Sequence, residues 1–163
     1  MGYKIAFVGN SLQTMCIFRM GVMAQLAQNG CEVVVIAPKD RDITTLRQAQ
    51  IRLIPIDMDC KGMNPFKDIQ LAKTLKQIYK KEKFDFIFHY TIKPIVYGSW
   101  AARKAKIQQI SVITGLGYTF LRKGWINRVA KCLYRLSLRS AKEVWFLNQE
   151  DKTLFIEENI VAQ

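Results

Sequence analysis

Between Lys93 and Lys142 the sequence contains no aspartate and no glutamate, while eleven lysines and arginines fall in the same stretch. Outside it, fourteen basic and thirteen acidic side chains nearly cancel, so one block carries almost the whole net charge of +12. A basic block set in an otherwise neutral chain faces an anion: a phosphate, a nucleic acid or an acidic lipid surface. Other absences narrow the field. The four cysteines, Cys16, Cys31, Cys60 and Cys132, stand singly and not at metal-ligand spacing. With no secretory signal visible, the expectation is a reduced, cytoplasmic protein that holds no metal. No apolar run approaches the ~20 residues that a membrane span requires. That excludes a span and leaves contact with a membrane surface open.

Half of the 163 residues are hydrophobic, enough for one domain with its own core. Apolar runs alternate with amphipathic segments along the chain. Strands are expected at 4–8, 32–37, 51–56, 85–90, 109–114 and 143–147. Helices are expected at 15–28, 42–49, 65–81, 94–104, 125–140 and 149–158. Pro55 marks the third strand as an edge or a strand end. Asn64, Pro65 and Asp68 form a helix start, with a cap, a first-turn proline and an acid suited to the helix dipole. Phe66, Ile69, Ala72, Leu75 and Tyr79 then recur at helical spacing. Strand–helix repetition of this kind predicts an α/β, three-layer, Rossmann-like doubly wound parallel sheet of about six strands in the order 3-2-1-4-5-6.

Ligands of such sheets bind beyond the carboxyl ends of the strands, at the switch point between the first and fourth. Three loops lie there. The first, GNSLQTMCIF, has one glycine where a dinucleotide fingerprint needs three, and Pro38-Lys39 stands where an acid would meet the ribose. Asp40 and Asp42 beyond it are a weak exception. No cofactor is therefore expected. In the second loop, YTIKP, Lys93 precedes a proline and a helix start, and would either hold a phosphate or lie solvated. Arg19, in the first turns of the first helix, is either a ligand contact or one half of a structural pair. His89, the only histidine, ends the fourth strand. It would serve as acid, base or sugar hydrogen-bond donor, or sit satisfied in the core.

The third loop is VITGLGYTFLRKGW. Gly115 and Gly117 permit tight backbone and close approach of a ligand. Tyr118, Phe120, Leu121 and Trp125 are apolar for a surface loop, and Arg122 and Lys123 interrupt them. Rings interleaved with cations suit a lipid tail beside a phosphate, single-stranded nucleic acid, or a loop folded onto its own core. In the helix that follows, Arg128, Lys131, Arg135 and Arg139 form a basic stripe. Ile126, Val129, Leu133 and Leu136 form the expected core face, with Tyr134 and Leu138 on the shoulders of the basic stripe. A basic face with apolar shoulders suits an anionic membrane.

The segments FRMGVMAQLAQNGCEVVVIAP, GMNPFKDIQLAKTL, YTIKPIVYGSWAARKAKI, VITGLGYTF and VWFLNQEDKTLF occur in that order. Together they resemble the N-terminal half of GT-B glycosyltransferases of family 4, in the branch that builds bacterial surface polysaccharides and lipid-linked oligosaccharides. The resemblance covers essentially the whole chain. It implies one Rossmann-like domain over residues 1–163 that binds a polyprenyl-diphosphate-linked acceptor, and a second, absent domain that binds a nucleotide-sugar donor. It further implies a metal-independent, retaining transfer in the full-length form and an inactive fragment. Arg19 and Lys93 would meet the acceptor diphosphate, and Gly115, Gly117 and Tyr118 would line the cleft. The basic helix and the 120–125 loop would rest on the inner face of the cell membrane. The competing reading is a stand-alone basic module that binds nucleic acid or serves a two-chain enzyme.

Overall fold

The computed structural model describes residues 2–59, 64–115 and 124–162. Six parallel strands form a single sheet: β1 (Lys4–Val8), β2 (Glu32–Ala37), β3 (Arg52–Pro55), β4 (Phe86–Tyr90), β5 (Gln108–Ile113) and β6 (Glu143–Phe146). Their order is β3-β2-β1-β4-β5-β6, as the alternation of elements predicts. β3, with Pro55 as its last residue, is an edge strand, where a missing N–H costs no ladder bond. In register, Val8 lies beside His89, and His89 beside Ser111, so His89 sits in the middle of the sheet.

Two layers of helix flank the sheet. α1 (Leu12–Gln28) and α2 (Thr44–Gln48) cover one face, where Leu12, Met15, Met23 and Leu46 pack on Phe7, Val33 and Val35. α3 (Pro65–Glu82), α4 (Ser99–Ala105) and α5 (Trp125–Leu138) cover the other. α6 (Gln149–Glu157) closes the described chain and sets Phe155 against Tyr134 and Phe146. α1 begins three residues before the expected start, because Ser11 caps it by accepting from the Thr14 N–H at 3.3 Å.

α3 starts where its cap requires. Asn64 Oδ1 accepts from the N–H groups of Phe66 and Lys67, and Pro65 takes the first position. Its buried face differs from the expected one. Asp68, Leu71, Ala72, Leu75 and Tyr79 are buried, whereas Phe66 and Ile69 are exposed. Burying Leu71, Leu75 and Tyr79 against Val34, Ile36 and Ile87 is worth roughly 1.5–3 kcal/mol per side chain. At its other end, Glu82 meets both Lys4 and Arg52, and Arg52 also meets Glu32. This clasp ties β1, β2 and β3 to α3, and Arg52 and Lys4 hold the Glu82 carboxyl down at about 2.

The helix after β4 is not a regular α-helix throughout. Pro94–Gly98 forms a π turn that leads into α4. Such turns are rare and recur at functional sites. Here the π turn brings Gly98 against the His89 ring. A Cβ at Gly98 would stand 2.5 Å from His89 Nε2 and 3.2 Å from the Tyr79 hydroxyl.

Candidate functional site at the sheet switch point

The rim of the switch point is built from Gly9–Ser11 after β1, Thr91–Lys93 after β4 and Thr114–Gly115 after β5. Gly117, Tyr118, Phe120, Arg122 and Lys123 lie outside the described residues. Gly115 is exposed with φ 137°, a left-handed value that favours glycine, and no atom of a described residue lies within 4 Å of where its Cβ would be.

Arg19 comes to this rim from α1. Its guanidinium carbon lies 5.0 Å from the centroid of the Tyr90 ring, at the last residue of β4. It forms no ion pair with any described residue. Burial raises the Tyr90 hydroxyl to about 12, with Arg19 pulling it partly back, so the phenol stays protonated under the cation. Of the two expectations for Arg19, the structure does not supply the structural carboxylate partner.

Lys93 is placed differently. Its ammonium lies 2.8 Å from Asp68 Oδ1, and the Tyr97 hydroxyl donates to Asp68 Oδ2 at 2.9 Å. Both charged side chains are nearly nine-tenths buried. The expectation that Lys93 offers free charge to a phosphate is corrected: Asp68 already compensates that charge. The Asp68 carboxylate raises the Tyr97 hydroxyl further after burial has done so, which keeps it a donor. Asp68 and Tyr97 escaped the sequence reading because the pairing spans 25 residues and two elements. Only the helix-dipole role of Asp68 was visible locally.

His89 is fully buried. Its Nδ1 lies 2.7 Å from Gln109 Oε1, an acceptor, so Nδ1 carries the proton. Nε2 then accepts from the Tyr79 hydroxyl at 2.9 Å. Gln109 Nε2 donates in turn to Ser140 Oγ at 2.9 Å, and Ser140 Oγ donates to the Ser137 carbonyl. Burial drives the imidazole down to about 3, against a small opposite pull from Gln109. A neutral ring with both nitrogens satisfied and no exposed surface cannot reach a substrate in this conformation. The catalytic expectation for His89 is corrected to a core histidine that ties β4, β5 and α3 together.

A dinucleotide is also disfavoured by geometry. Asp40 Oδ1 accepts from the Gln13 N–H at 3.0 Å, so a carboxylate already occupies the N-terminal turn of α1 where a pyrophosphate would dock. Asp42 is spent on the Thr44 N–H.

On α5 the buried face differs from the expected one. Ala130, Tyr134, Ser137 and Leu138 are buried, while Val129 and Leu136, read as core, are 47% and 56% exposed. Trp125 is 70% exposed. With Cys132, also exposed, these residues make an outward apolar stripe at spacings of four, three and four. Arg128 and Arg139 flank it, exposed. The other two basic residues turn toward α6. Lys131 pairs with Glu158 at 2.7 Å, and Arg135 donates to the carbonyls of Asn159 and Glu158. Arg139 also lines, with Arg135, Trp145, Leu147 and Lys152, a cleft of about 1080 Å³ at the β6 edge of the sheet, away from the switch point. No described helix is long and apolar enough to cross a membrane.

A family model described as glycosyl transferase 4-like matches residues 4–148. The chain belongs to that family. A Campylobacter jejuni protein named N,N'-diacetylbacillosaminyl-diphospho-undecaprenol alpha-1,3-N-acetylgalactosaminyltransferase is 27% identical over 168 residues, covering 98% of this chain and 45% of its own length. An Escherichia coli protein named UDP-Gal:alpha-D-GlcNAc-diphosphoundecaprenol alpha-1,3-galactosyltransferase is 22% identical, covering 78% of this chain and 33% of its own length. This member of the glycosyl transferase 4-like family thus spans less than half of the curated relatives it matches. Among solved structures, a Rickettsia africae glycosyltransferase superposes with a TM-score of 0.69 at 18% identity, over 96% of this chain and 39% of that one. Anabaena HepE in complex with UDP and glucose gives 0.68 at 20% identity, over 96% and 41%. Both likenesses support the Rossmann-like fold.

Proposed function

We propose that this chain is the acceptor-binding half of a glycosyltransferase that moves a sugar from a nucleotide-sugar donor to a polyprenyl-diphosphate-linked acceptor, in the assembly of a surface polysaccharide or lipid-linked oligosaccharide. The observation that carries the reading is Arg19: a guanidinium at the switch point, resting on Tyr90 and without a carboxylate partner among the described residues, on the rim that Gly115 also joins. A diphosphate is the ligand chemistry that such a group recognises best. Two relatives whose names specify diphospho-undecaprenol substrates support the acceptor class. Gly117 and Tyr118 are proposed to line the same cleft. The donor is assigned to the part of those relatives that this chain does not match, so the chain alone is expected to turn over no substrate.

The outward stripe of α5 supports the membrane part of the proposal. Trp125, Val129 and Leu136, with Arg128 and Arg139 at their flank, present the pattern of a helix resting on an anionic leaflet. The 120–123 segment would extend that contact and bring the rim to the acceptor head group at the inner face of the cell membrane.

Calorimetric titration with a short-chain prenyl diphosphate carrying N-acetylglucosamine tests the reading. Saturable binding, weakened tenfold or more by Arg19→Ala, is expected. Absence of binding, with salt-dependent retention on single-stranded RNA instead, would favour a nucleic-acid module and overturn it.

A further inference from the structure

Thr91 follows β4 at the centre of the rim, between the loops after β1 and β5. Its φ is 67°, a left-handed value that a β-branched residue adopts rarely and at a cost. Its hydroxyl oxygen is buried and has no hydrogen-bond partner among the described residues. Either feature alone would be unremarkable. Together they mark a residue held in a costly conformation whose hydroxyl makes no hydrogen bond to the described residues.

The ordinary structural job for this threonine is closed to it. Thr91 stands at the start of the helical segment that runs into the π turn, and its carbonyl accepts from the Ile95 N–H at 3.0 Å. A threonine there normally caps by accepting from an N–H two or three residues on. Three residues on is Pro94, which has no N–H. The left-handed backbone also departs from the extended conformation that a cap requires. The hydroxyl is thus left over.

The surroundings indicate what it would meet. The nearest cation in the loop, Lys93, is neutralised by Asp68 and held by it. His89, two residues back, is buried and neutral. Among the described residues, the rim at Thr91 therefore carries no uncompensated charge of its own, whereas Arg19 on the Tyr90 side does. A hydroxyl that both donates and accepts matches an uncharged sugar hydroxyl better than a phosphate oxygen. Thr91 is only part-buried as a residue, and the hydroxyl would reach a ligand at the rim by a change of its first side-chain torsion.

We propose that Thr91 is a positioning residue for the acceptor, exchanging a hydrogen bond with a hydroxyl of the sugar attached to the diphosphate that Arg19 holds. This rests on the acceptor reading above and adds to it the recognition of the sugar as distinct from the diphosphate. No bond is made or broken at Thr91.

The test measures binding of two probes to the chain: a short-chain prenyl diphosphate carrying N-acetylglucosamine, and the same prenyl diphosphate without sugar. Wild type binds the sugar-bearing probe more tightly. Thr91→Val, which keeps the shape and deletes the hydroxyl, loses about three- to tenfold on the sugar-bearing probe, the size of one neutral hydrogen bond, and nothing on the bare one. Thr91→Ser retains the preference. Thr91→Gly, which relaxes the backbone, melts no lower than wild type yet loses the preference, an outcome that a purely structural role would not give. Equal affinities of Thr91→Val and wild type for both probes would overturn the proposal while leaving the acceptor reading intact. So would an equal loss on both, or a marked destabilisation by Thr91→Gly. If wild type binds neither probe, the acceptor reading itself fails and this proposal falls with it.

Discussion

Lys93 and Asp68 form a nearly buried ion pair at 2.8 Å that fastens the loop after β4 to the first turns of α3. Removing one partner leaves the other charge in a poorly solvated place. Lys93→Met or Asp68→Asn is expected to cost about 3–5 kcal/mol in chemical denaturation. The triple variant Lys93→Met/Asp68→Leu/Tyr97→Phe should recover most of that loss, because it also removes the Tyr97 hydroxyl that Asp68 accepts from and leaves no polar group to compensate. Single variants as stable as wild type would mean that the pair is solvated in solution.

Gly98 owes its place to His89. A methyl at Gly98 would enter the imidazole ring, which is itself pinned by Tyr79 and Gln109 and cannot step aside. Gly98→Ala is expected to destabilise by about 1–3 kcal/mol, the usual cost of overpacking. Its loss measured in a His89→Ala background should be smaller, since the ring it collides with is gone.

Acid should unfold the protein in two separable stages. His89 has its affinity for a proton depressed to about 3 in the folded state, so the unfolded chain binds the proton more readily. Its contribution is full above about 6.5, the ordinary value, and is lost as pH falls below it. Glu82, held at about 2 by Arg52 and Lys4, contributes fully above its ordinary 4.5 and fades as pH falls toward 2. From 6.5 down to 4.5 the loss therefore belongs to His89, at a limiting slope of about 1.4 kcal/mol per pH unit. Denaturation across this window checks it: His89→Gln should flatten the slope there and leave below 4.5 only the part of the loss that belongs to Glu82.

The outward stripe of α5 gives a membrane prediction. Flotation with vesicles containing about a third anionic phospholipid should bring the chain up with them at low salt. Trp125→Ala should weaken the association several-fold, and Arg128→Gln/Arg139→Gln should remove most of its salt dependence. Lys131→Gln should matter less, because that charge already faces Glu158. Equal association of all variants and wild type would place the contact elsewhere.

Much of the fold is legible in the residues because its signals are local. The β-branched run Glu32–Ala37, the Asn64-Pro65 start and the edge proline Pro55 each state their own element. Alternation of strands and helices then leaves few topologies open. The face of α5 was not legible, because the helix carries apolar residues on two sides and periodicity does not say which side meets a neighbour. Tyr134 is buried by Phe155, which comes from a helix that only the tertiary fold brings near. The loops of the rim and the place of Arg19 beside them were legible. The fates of Lys93 and His89 were not, since Asp68, Tyr79 and Gln109 reach them across 10 to 25 residues. Thr91 left no mark in the sequence, because its backbone conformation is a property of the assembled rim.

The central claim is that an amphiphilic diphosphate binds at the switch point, and residue-resolved chemical-shift mapping of the chain tests it most directly. Titration with a short-chain prenyl-diphosphate sugar should perturb the amides of Gly9–Ser11, Thr91–Lys93 and Gly115 together with the Arg19 side chain, and saturate. Perturbations confined to Arg139, Lys152 and the neighbouring β6 edge, with the rim unmoved, would contradict it.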